Sequence, residues 1–575
     1  MAELPDFEDV TRRFEEVDVD VAWTEGLGYV TASDGISVGR DPRVTAYVTV
    51  ESRSDVRVGS YYVVPYPDGE HLFARIASLR YEQQFDSDDA NEVHAQRALS
   101  GEAIDENDFK LLAELEPIAV LYEDDGVKRR MTDRVPKPSA VVEPPGDRAQ
   151  VKAGLDIPEH GVFVGHLAVG GERVRLPSES PPTVDYRLDD GDGDREPLIF
   201  RHLLVAGGTG SGKSHNAKNI LRQLVESTYE VDVGDDTVSR KPALVVIDPQ
   251  NEYASLHDDP DVDRDTRREW EAEGIHHGGH PETTAFVPDV EGYDYDAGHR
   301  APQREFSVPF EMVRYNHWLL AGGALNENQL RGLERLLDDY FDGADQPTYD
   351  GFSRFLDDTE RRERYDERGL IHEATYDALV SRIAENPVFE RVFDRPADPI
   401  TDPGLLGRLV RPGAVSVIPT YHVSSSRAEE VVVLAVASLL VDDKLRTGGR
   451  RQIKETPLVL ALDEAHNFLG DAETAQGRII QSKFSDAAKQ GRKERLGLFL
   501  VTQDPGDVAD AVFKQINTKI ALNLGDEQAL SSLNLPTELE DRVPYLERGR
   551  MAVYSPDNSE PVEVAGLPDC VVQHD

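Results

Sequence analysis

Hydrophobic and polar positions along this chain follow two regimes. Up to about residue 140 the apolar positions come in short, alternating or β-branched runs: Gly28-Tyr29-Val30, Thr45 to Val50, Tyr61 to Val64 and Leu72 to Leu79. Turn-forming pairs such as Asp34-Gly35, Asp41-Pro42 and Asp68-Gly69 separate them. Short strands at this spacing predict a small β-barrel over 1–140, with 83–108 as a polar surface excursion. From Leu198 onward the pattern changes to compact apolar runs alternating with helical stretches: Leu203 to Ala206, Ala243 to Ile247, Val415 to Ile418, Leu458 to Leu462 and Leu496 to Val501. That alternation predicts a parallel α/β sheet, built from 198–255 and 401–555. The Pro-, Gly- and Asp-rich stretch 141–197 reads as a connector, and 556–575 as a closing segment. An insertion fills 256–400. It is acidic and turn-rich to 305, then helical from Asn326, where Asn326 and Gln329 have the form of a capping box.

Chemistry concentrates where the apolar runs end. Leu203 to Ala206 leads into Gly207, Gly208, Thr209, Gly210, Ser211, Gly212, Lys213 and Ser214, the spacing of a Walker A phosphate loop. Glycines let backbone N–H groups turn inward around an anion, Lys213 reaches the terminal phosphates, and the Ser214 hydroxyl suits Mg²⁺. A helix beginning at about His215 adds its N-terminal partial charge. These residues imply binding of a nucleoside triphosphate, ATP, with Mg²⁺. Leu458 to Leu462 ends in Asp463 and Glu464, the Walker B pattern: one acid for the metal shell, the other to polarise water. Leu496 to Val501 ends in Thr502-Gln503, where an amide can sense the γ-phosphate, or simply terminate a strand. The run 489–493 is basic: Arg492 suits either a helix C-terminus or an arginine finger.

Composition excludes some classes and leaves others open. The net charge is 62 − 109 = −47, and the 62 basic residues comprise 14 Lys and 48 Arg. An acidic, lysine-poor chain fits solubility at high salt, or simple avoidance of nucleic acid; charge does not choose the partner. Cys570 is the only cysteine, so no disulfide framework or cysteine metal site arises. Without an apolar leader or a membrane-length run, a soluble cytoplasmic protein is expected. Three local signals carry alternatives. Lys128-Arg129-Arg130 reads as a solvated loop or a phosphate contact. His276, His277 and His280 stand close enough for a metal but lack an accompanying acidic or cysteine pattern. The stretch 190–194 alternates Asp and Gly like a calcium loop but has Arg195 and Arg201 where that loop needs Gly and Glu, so calcium is rejected.

Taken together, RHLLVAGGTGSGKS at 201–214, VVIDPQNEY at 245–253, LVLALDEAHNF at 458–468 and GRKERLGLFLVTQDP at 491–505 resemble the HerA family, within the FtsK–HerA branch of RecA-like ATPases. The resemblance implies a RecA-like P-loop core with an N-terminal HAS barrel and an all-α insertion. It implies a homohexameric ring hydrolysing ATP between subunits while translocating on double-stranded DNA, in end processing beside a NurA-like nuclease and without a membrane. Lys213, Ser214, Asp463, Glu464 and Gln503 would act in cis, Arg492 in trans with Arg427 as runner-up, and Asp248 and Glu252 as second-tier site residues. Asp504 stands where the family usually has Arg, and Asn251 where Gly is common. From a different class, a regulatory or defence ATPase that acts on a protein partner without translocation stays open.

Overall fold

The computed structural model describes residues 26–574 apart from 34, 40–41, 84–98, 101–105, 192–195, 235, 321–324, 471–473, 534 and 536. Most of the polar excursion and most of the rejected calcium loop lie outside the described residues. The chain divides into two compact units, Met1–Gly154 and Leu155–Asp575.

In the first unit seven strands form one antiparallel sheet: β1 (Gly28–Thr31), β2 (Val44–Val48), β3 (Tyr61–Pro65), β4 (His71–Gln83), β5 (Phe109–Glu123), β6 (Val127–Arg130) and β7 (Val141–Val142). Their order is β3-β4-β5-β2-β1-β7, with β6 beside β5. The sheet curls back on itself: Val63 and Glu143 exchange two backbone hydrogen bonds of 2.8 and 2.9 Å, which removes the open edge. Alternate residues such as Val44, Ala46, Val48, Leu72, Ala74 and Ile76 fill the interior, as the period of two dictates. The basic triplet is part of strand β6 rather than a loop. Lys128 pairs with Asp124 at 3.0 Å and Arg130 with Glu70 at 2.5 Å; opposite charges across a hairpin suffice to explain it.

The second unit is organised by a 13-stranded sheet. Its strands are β8 (Val162–Val169), β9 (Glu172–Arg173), β10 (Asp185–Leu188), β11 (Leu203–Ala206), β14 (Ala243–Asp248), β15 (Thr283–Pro288), β16 (Gln303–Phe306), β17 (Val415–Pro419), β18 (Leu458–Leu462), β19 (Leu496–Thr502), β20 (Thr518–Ala521), β21 (Arg550–Tyr554) and β22 (Val562–Ala565). A separate hairpin pairs β12 (Tyr229–Val233) with β13 (Asp236–Arg240). The sheet order runs β10-β8-β22-β21-β20-β11-β19-β18-β14-β17-β15-β16, with β9 beside β8. From β20 to β16 all pairings are parallel. β11, β14, β17, β18 and β19 are buried along their whole length, as strands covered on both faces must be. One strand, β19, separates β11 from β18, so the phosphate-loop strand and the acid-bearing strand are not neighbours. This is the RecA-like arrangement of a P-loop core.

Three parts of the sequence reading change here. The connector 141–197 supplies β7 to the barrel and β8, β9 and β10 to the second sheet. Its β7, β9 and β10 are short and β8 carries Gly165 and His166 in its middle, which hid their period. The insertion 256–400 is helical beyond 326, beginning with Glu327–Gly343 behind the complete Asn326–Gln329 capping box. Its acidic first part, however, extends the parallel sheet through β15 and β16. The closing segment is partly core as well, since β22 lies between β21 and β8.

Candidate active site

The four strands that carry the motifs end at one edge. β11 runs into Gly207, β18 into Asp463, β19 into Gln503, and β14 ends on Asp248. Parallel strands gather these residues at their carboxyl ends, where α/β sheets form ligand crevices. Backbone bonds hold the loop there: Gly207 N donates to Thr502 O at 3.2 Å and Gly208 N to Asn523 O at 2.7 Å. Gly210 and Gly212 have φ of +77° and +100°, and a Cβ on Gly207 would stand 2.7 Å from Ser211 Oγ. Only glycine allows this curvature. The helix Lys213–Leu224 starts directly from the loop.

Lys213 is 7% exposed, and its Nζ donates to Gly208 O at 3.2 Å. Burial lowers its pKa, while Glu464, Asp463 and Glu252 oppose the shift. Asp463 is pushed well above the usual carboxylate range, first by burial and then by the charges of Asp248, Glu464 and Glu252. Tyr253 donates to Asp463 Oδ1 at 3.4 Å. Asp248 is fully buried and accepts from the backbone N–H groups of Gln250, Glu252 and Tyr253 at 3.2, 3.1 and 2.8 Å. Burial outweighs these bonds and raises its pKa to about 6.

A polar chain crosses the crevice. Thr209 Oγ1 donates to Gln503 Oε1 at 2.7 Å, and Gln503 Nε2 donates to Glu464 Oε1 at 2.5 Å. Glu464 has φ of +45°, unusual for a residue with a Cβ. Its Oε2 is buried without a hydrogen-bond partner among the described residues. His466 Nδ1 lies 3.4 Å away but lacks hydrogen-bond geometry. Glu252 Oε2 and Ser211 Oγ are likewise unpartnered. A crowded set of hard oxygen donors beside one lysine fits a divalent cation and a phosphate chain, since hydroxyl and carboxylate oxygens such as those of Ser214 and Asp463 are donor types that Mg²⁺ takes.

Thus the structure brings together Lys213, Asp463, Glu464, Gln503, Asp248 and Glu252. Arg492 is exposed and pairs with Glu196, just before β19 begins. It sits at the amino edge, about 20 Å along the strands from the crevice. Arg427 is exposed in the first turn of the helix Ser426–Leu445, which follows the carboxyl end of β17. The His215 ring packs on His574, their centroids 5.4 Å apart; burial, then His574, lowers its pKa to about 4, so the imidazole is neutral. The histidine trio disperses. His280 bonds Gly413 O at 2.8 Å, His277 bonds Ile275 O at 3.1 Å, and the His276 backbone is held by Gln223. Among the described residues no group of three potential ligands gathers around a metal position.

The sequence reading missed Thr209 as a partner of Gln503, and Tyr253 against Asp463. It also missed Asn523, whose carbonyl receives Gly208 N while its amide holds the carbonyls of Pro544 and Leu546. The tyrosine could have been suspected, since VVIDPQNEY places it beside two acids. Nothing local marks Asn523, more than 300 residues from the loop it supports.

Residues 194–437 match the model of the helicase HerA central domain. The DNA double-strand break repair helicase HerA of Pyrococcus furiosus is 25% identical over 405 residues, covering 65% of this chain and 65% of that protein. Its Saccharolobus solfataricus counterpart is 25% identical over 172 residues, or 29% and 34%. The chain therefore spans about two thirds and one third of these relatives. Among solved structures, the plasmid coupling protein TrwB with a GTP analogue aligns at TM-score 0.45 and 15% identity, over 71% of this chain and 94% of that one. VirB4 of Thermoanaerobacter pseudethanolicus aligns at 0.41 and 14%, over 71% and 97%. Among the described residues no helix is long and apolar enough to cross a membrane. Over residues 194–437, this chain is therefore similar to the helicase HerA central domain.

Proposed function

We propose that this protein is an ATP-hydrolysing motor that translocates on double-stranded DNA, working as a ring with its nucleotide sites at subunit boundaries. The observation that carries the proposal is the convergence of Lys213, Asp463, Glu464 and Gln503 at one strand edge, in a chain whose residues 194–437 resemble the HerA central domain. The names of the two HerA relatives support DNA repair as the setting. A homohexamer, and a NurA-like nuclease as partner, extend the same reading.

In the reaction, water attacks the γ-phosphorus and the bond to the β–γ bridging oxygen breaks, giving ADP and phosphate. Glu464, whose Oε2 is buried and unpartnered, takes the proton of the attacking water. Gln503, held between Thr209 and Glu464, orients that water. Lys213 balances charge on the β- and γ-oxygens. Mg²⁺, held by Ser214 and Asp463, supplies further charge neutralisation when bound. Because Arg492 lies at the opposite sheet edge from its own crevice, it suits the crevice of a neighbouring subunit in a head-to-tail ring; Arg427 is the second choice.

The test is ATP hydrolysis at high salt with and without linear duplex DNA, beside Glu464→Gln. Stimulation by duplex DNA that disappears in the variant supports the motor. Hydrolysis indifferent to DNA overturns it in favour of a switch acting on a protein partner.

A further inference from the structure

The loop that carries Glu252 follows β14 and wraps around the Asp248 carboxylate, which accepts from the N–H groups of Gln250, Glu252 and Tyr253. Its apex is Asn251, with φ of +59°. Asparagine enters this left-handed region more readily than most residues, but such a conformation persists only where surrounding structure fixes it. Glu252 comes next. Its Oε2 is buried without a hydrogen-bond partner among the described residues, and its charge acts on both Lys213 and Asp463. The backbone of the loop, rather than a bond to Oε2, therefore sets where that oxygen lies.

The fixing comes from the acidic part of the insertion, between β15 and β16. Tyr295 donates to Asn251 Oδ1 at 3.0 Å, and its oxygen lies 2.6 Å from His299 Nε2. A phenol has one proton. With that proton on Asn251, the oxygen accepts from a His299 ring protonated at Nε2, which leaves Nδ1 bare. His299 Nδ1 is buried without a partner, and burial lowers the pKa of the ring, favouring its neutral form. The segment is anchored on two sides: Tyr421, just past β17, donates to Asp296 O at 2.5 Å, and Arg300 N donates to Asp258 Oδ2 at 3.2 Å. The Tyr295 ring also packs against Tyr421 and His422, with centroids 5.7 and 5.3 Å away. The hydroxyl is thus aimed at Asn251 by contacts that do not depend on the hydroxyl.

We propose that Tyr295 is a positioning residue for ATP hydrolysis: through Asn251 it fixes the loop that sets Glu252 in the crevice, which makes the acidic insertion part of the turnover machinery. The inference rests on the ATP-hydrolysis reading above and extends it to a residue 44 positions from the one it holds.

The experiment is steady-state ATP hydrolysis by the full-length protein at high salt. It compares wild type, Tyr295→Phe, Asn251→Gly and Glu252→Gln, and Tyr295→Phe combined with each of the other two. Phenylalanine keeps the ring and its packing and removes only the hydroxyl. Loss of one hydrogen bond should lower kcat about three- to tenfold. The KM for ATP should stay within about twofold of wild type, because Lys213 and the phosphate loop are untouched. Asn251→Gly, which removes the acceptor, should match this loss, and Glu252→Gln should lower kcat at least as far. Tyr295→Phe should then add nothing in either background, since one lacks the acceptor and the other the group being positioned. Unchanged kcat in Tyr295→Phe, a change in KM alone, a fully active Glu252→Gln, or the same fold-loss from Tyr295→Phe in either variant background overturns the positioning role while the ATPase reading stands. If wild type does not hydrolyse ATP, that reading fails and the positioning role with it.

Discussion

The barrel and the crevice handle charge in opposite ways. On the barrel, carboxylates and guanidiniums meet at the surface: Arg75 with Glu116 at 2.6 Å, Arg130 with Glu70 at 2.5 Å, and Arg134 with both Asp68 and Glu70. Water screens these pairs, so each contributes little. In the crevice, Asp248, Asp463 and Glu464 are at most 7% exposed, and Lys213 lies beside Glu464, Asp463 and Glu252. Burial first, and then repulsion from neighbouring carboxylates, push Asp248 and Asp463 upward. The named barrel pairs neutralise each other as they stand, whereas the crevice holds an excess of acceptors that a cation and a phosphate chain would complete. A buried cluster that opposes its own ionisation is a sign of function rather than of stability.

The comparison breaks most clearly at Glu464. Glu464→Gln should reduce ATP turnover by roughly 10²–10⁴-fold while nucleotide binding persists. A variant that hydrolyses at the wild-type rate would remove Glu464 from the chemistry. Next in size is the barrel interior. Leu72 is fully buried among the interior residues, and Leu72→Ala should cost about 2–5 kcal/mol of barrel stability in denaturant unfolding, with the ATP affinity of folded protein unchanged.

Asp248 sharpens the electrostatic side. Its carboxyl is raised to about 6, above its unfolded value. Between about pH 4 and 6 the folded state holds a proton the unfolded chain has released, so stability falls as pH rises through that window and levels off above it. Asp248→Asn should remove that slope, worth up to about 3 kcal/mol. The amide also loses one of the acceptors serving three backbone N–H groups, so the variant should be weaker at low pH. Unfolding midpoints of nucleotide-free protein from pH 4 to 7 check this; a wild-type-minus-variant difference independent of pH would refute the burial argument. The smallest effect belongs to the barrel surface. Lys128 and Asp124 are 47% and 67% exposed, so Lys128→Ala should change stability by less than about 1 kcal/mol, and less still at high salt.

Motif residues were legible in the sequence because their chemistry is local. The glycines of 207–212 set the loop's curvature, and the acids at 463–464 follow a five-residue apolar strand whose period and length are unmistakable. The parallel core was legible because strands buried on both faces must be continuously apolar. Strands β8 to β10 and β15 to β16 were not: β9, β10 and β16 are short, β8 is interrupted by Gly165 and His166, and all lie in Pro- or Gly-rich stretches and are stabilised by neighbours remote in sequence. The basic triplet 128–130 was ambiguous for the same reason: whether it faces phosphate or carboxylate depends on which strand pairs with it.

By itself, then, the sequence determined a phosphate loop, its two acids, an α/β core with a β-rich N-terminal unit, and the family resemblance. Only the tertiary structure decided which strand lies between β11 and β18. It alone set Thr209 against Gln503, dispersed the three histidines, and brought the last residues of the chain onto the phosphate-loop helix. Local patterns follow from backbone geometry and side-chain period within a few residues. Strand order and long-range polar contacts follow from how buried faces and unpaired hydrogen-bonding groups are jointly satisfied, and no single stretch of the chain carries that information.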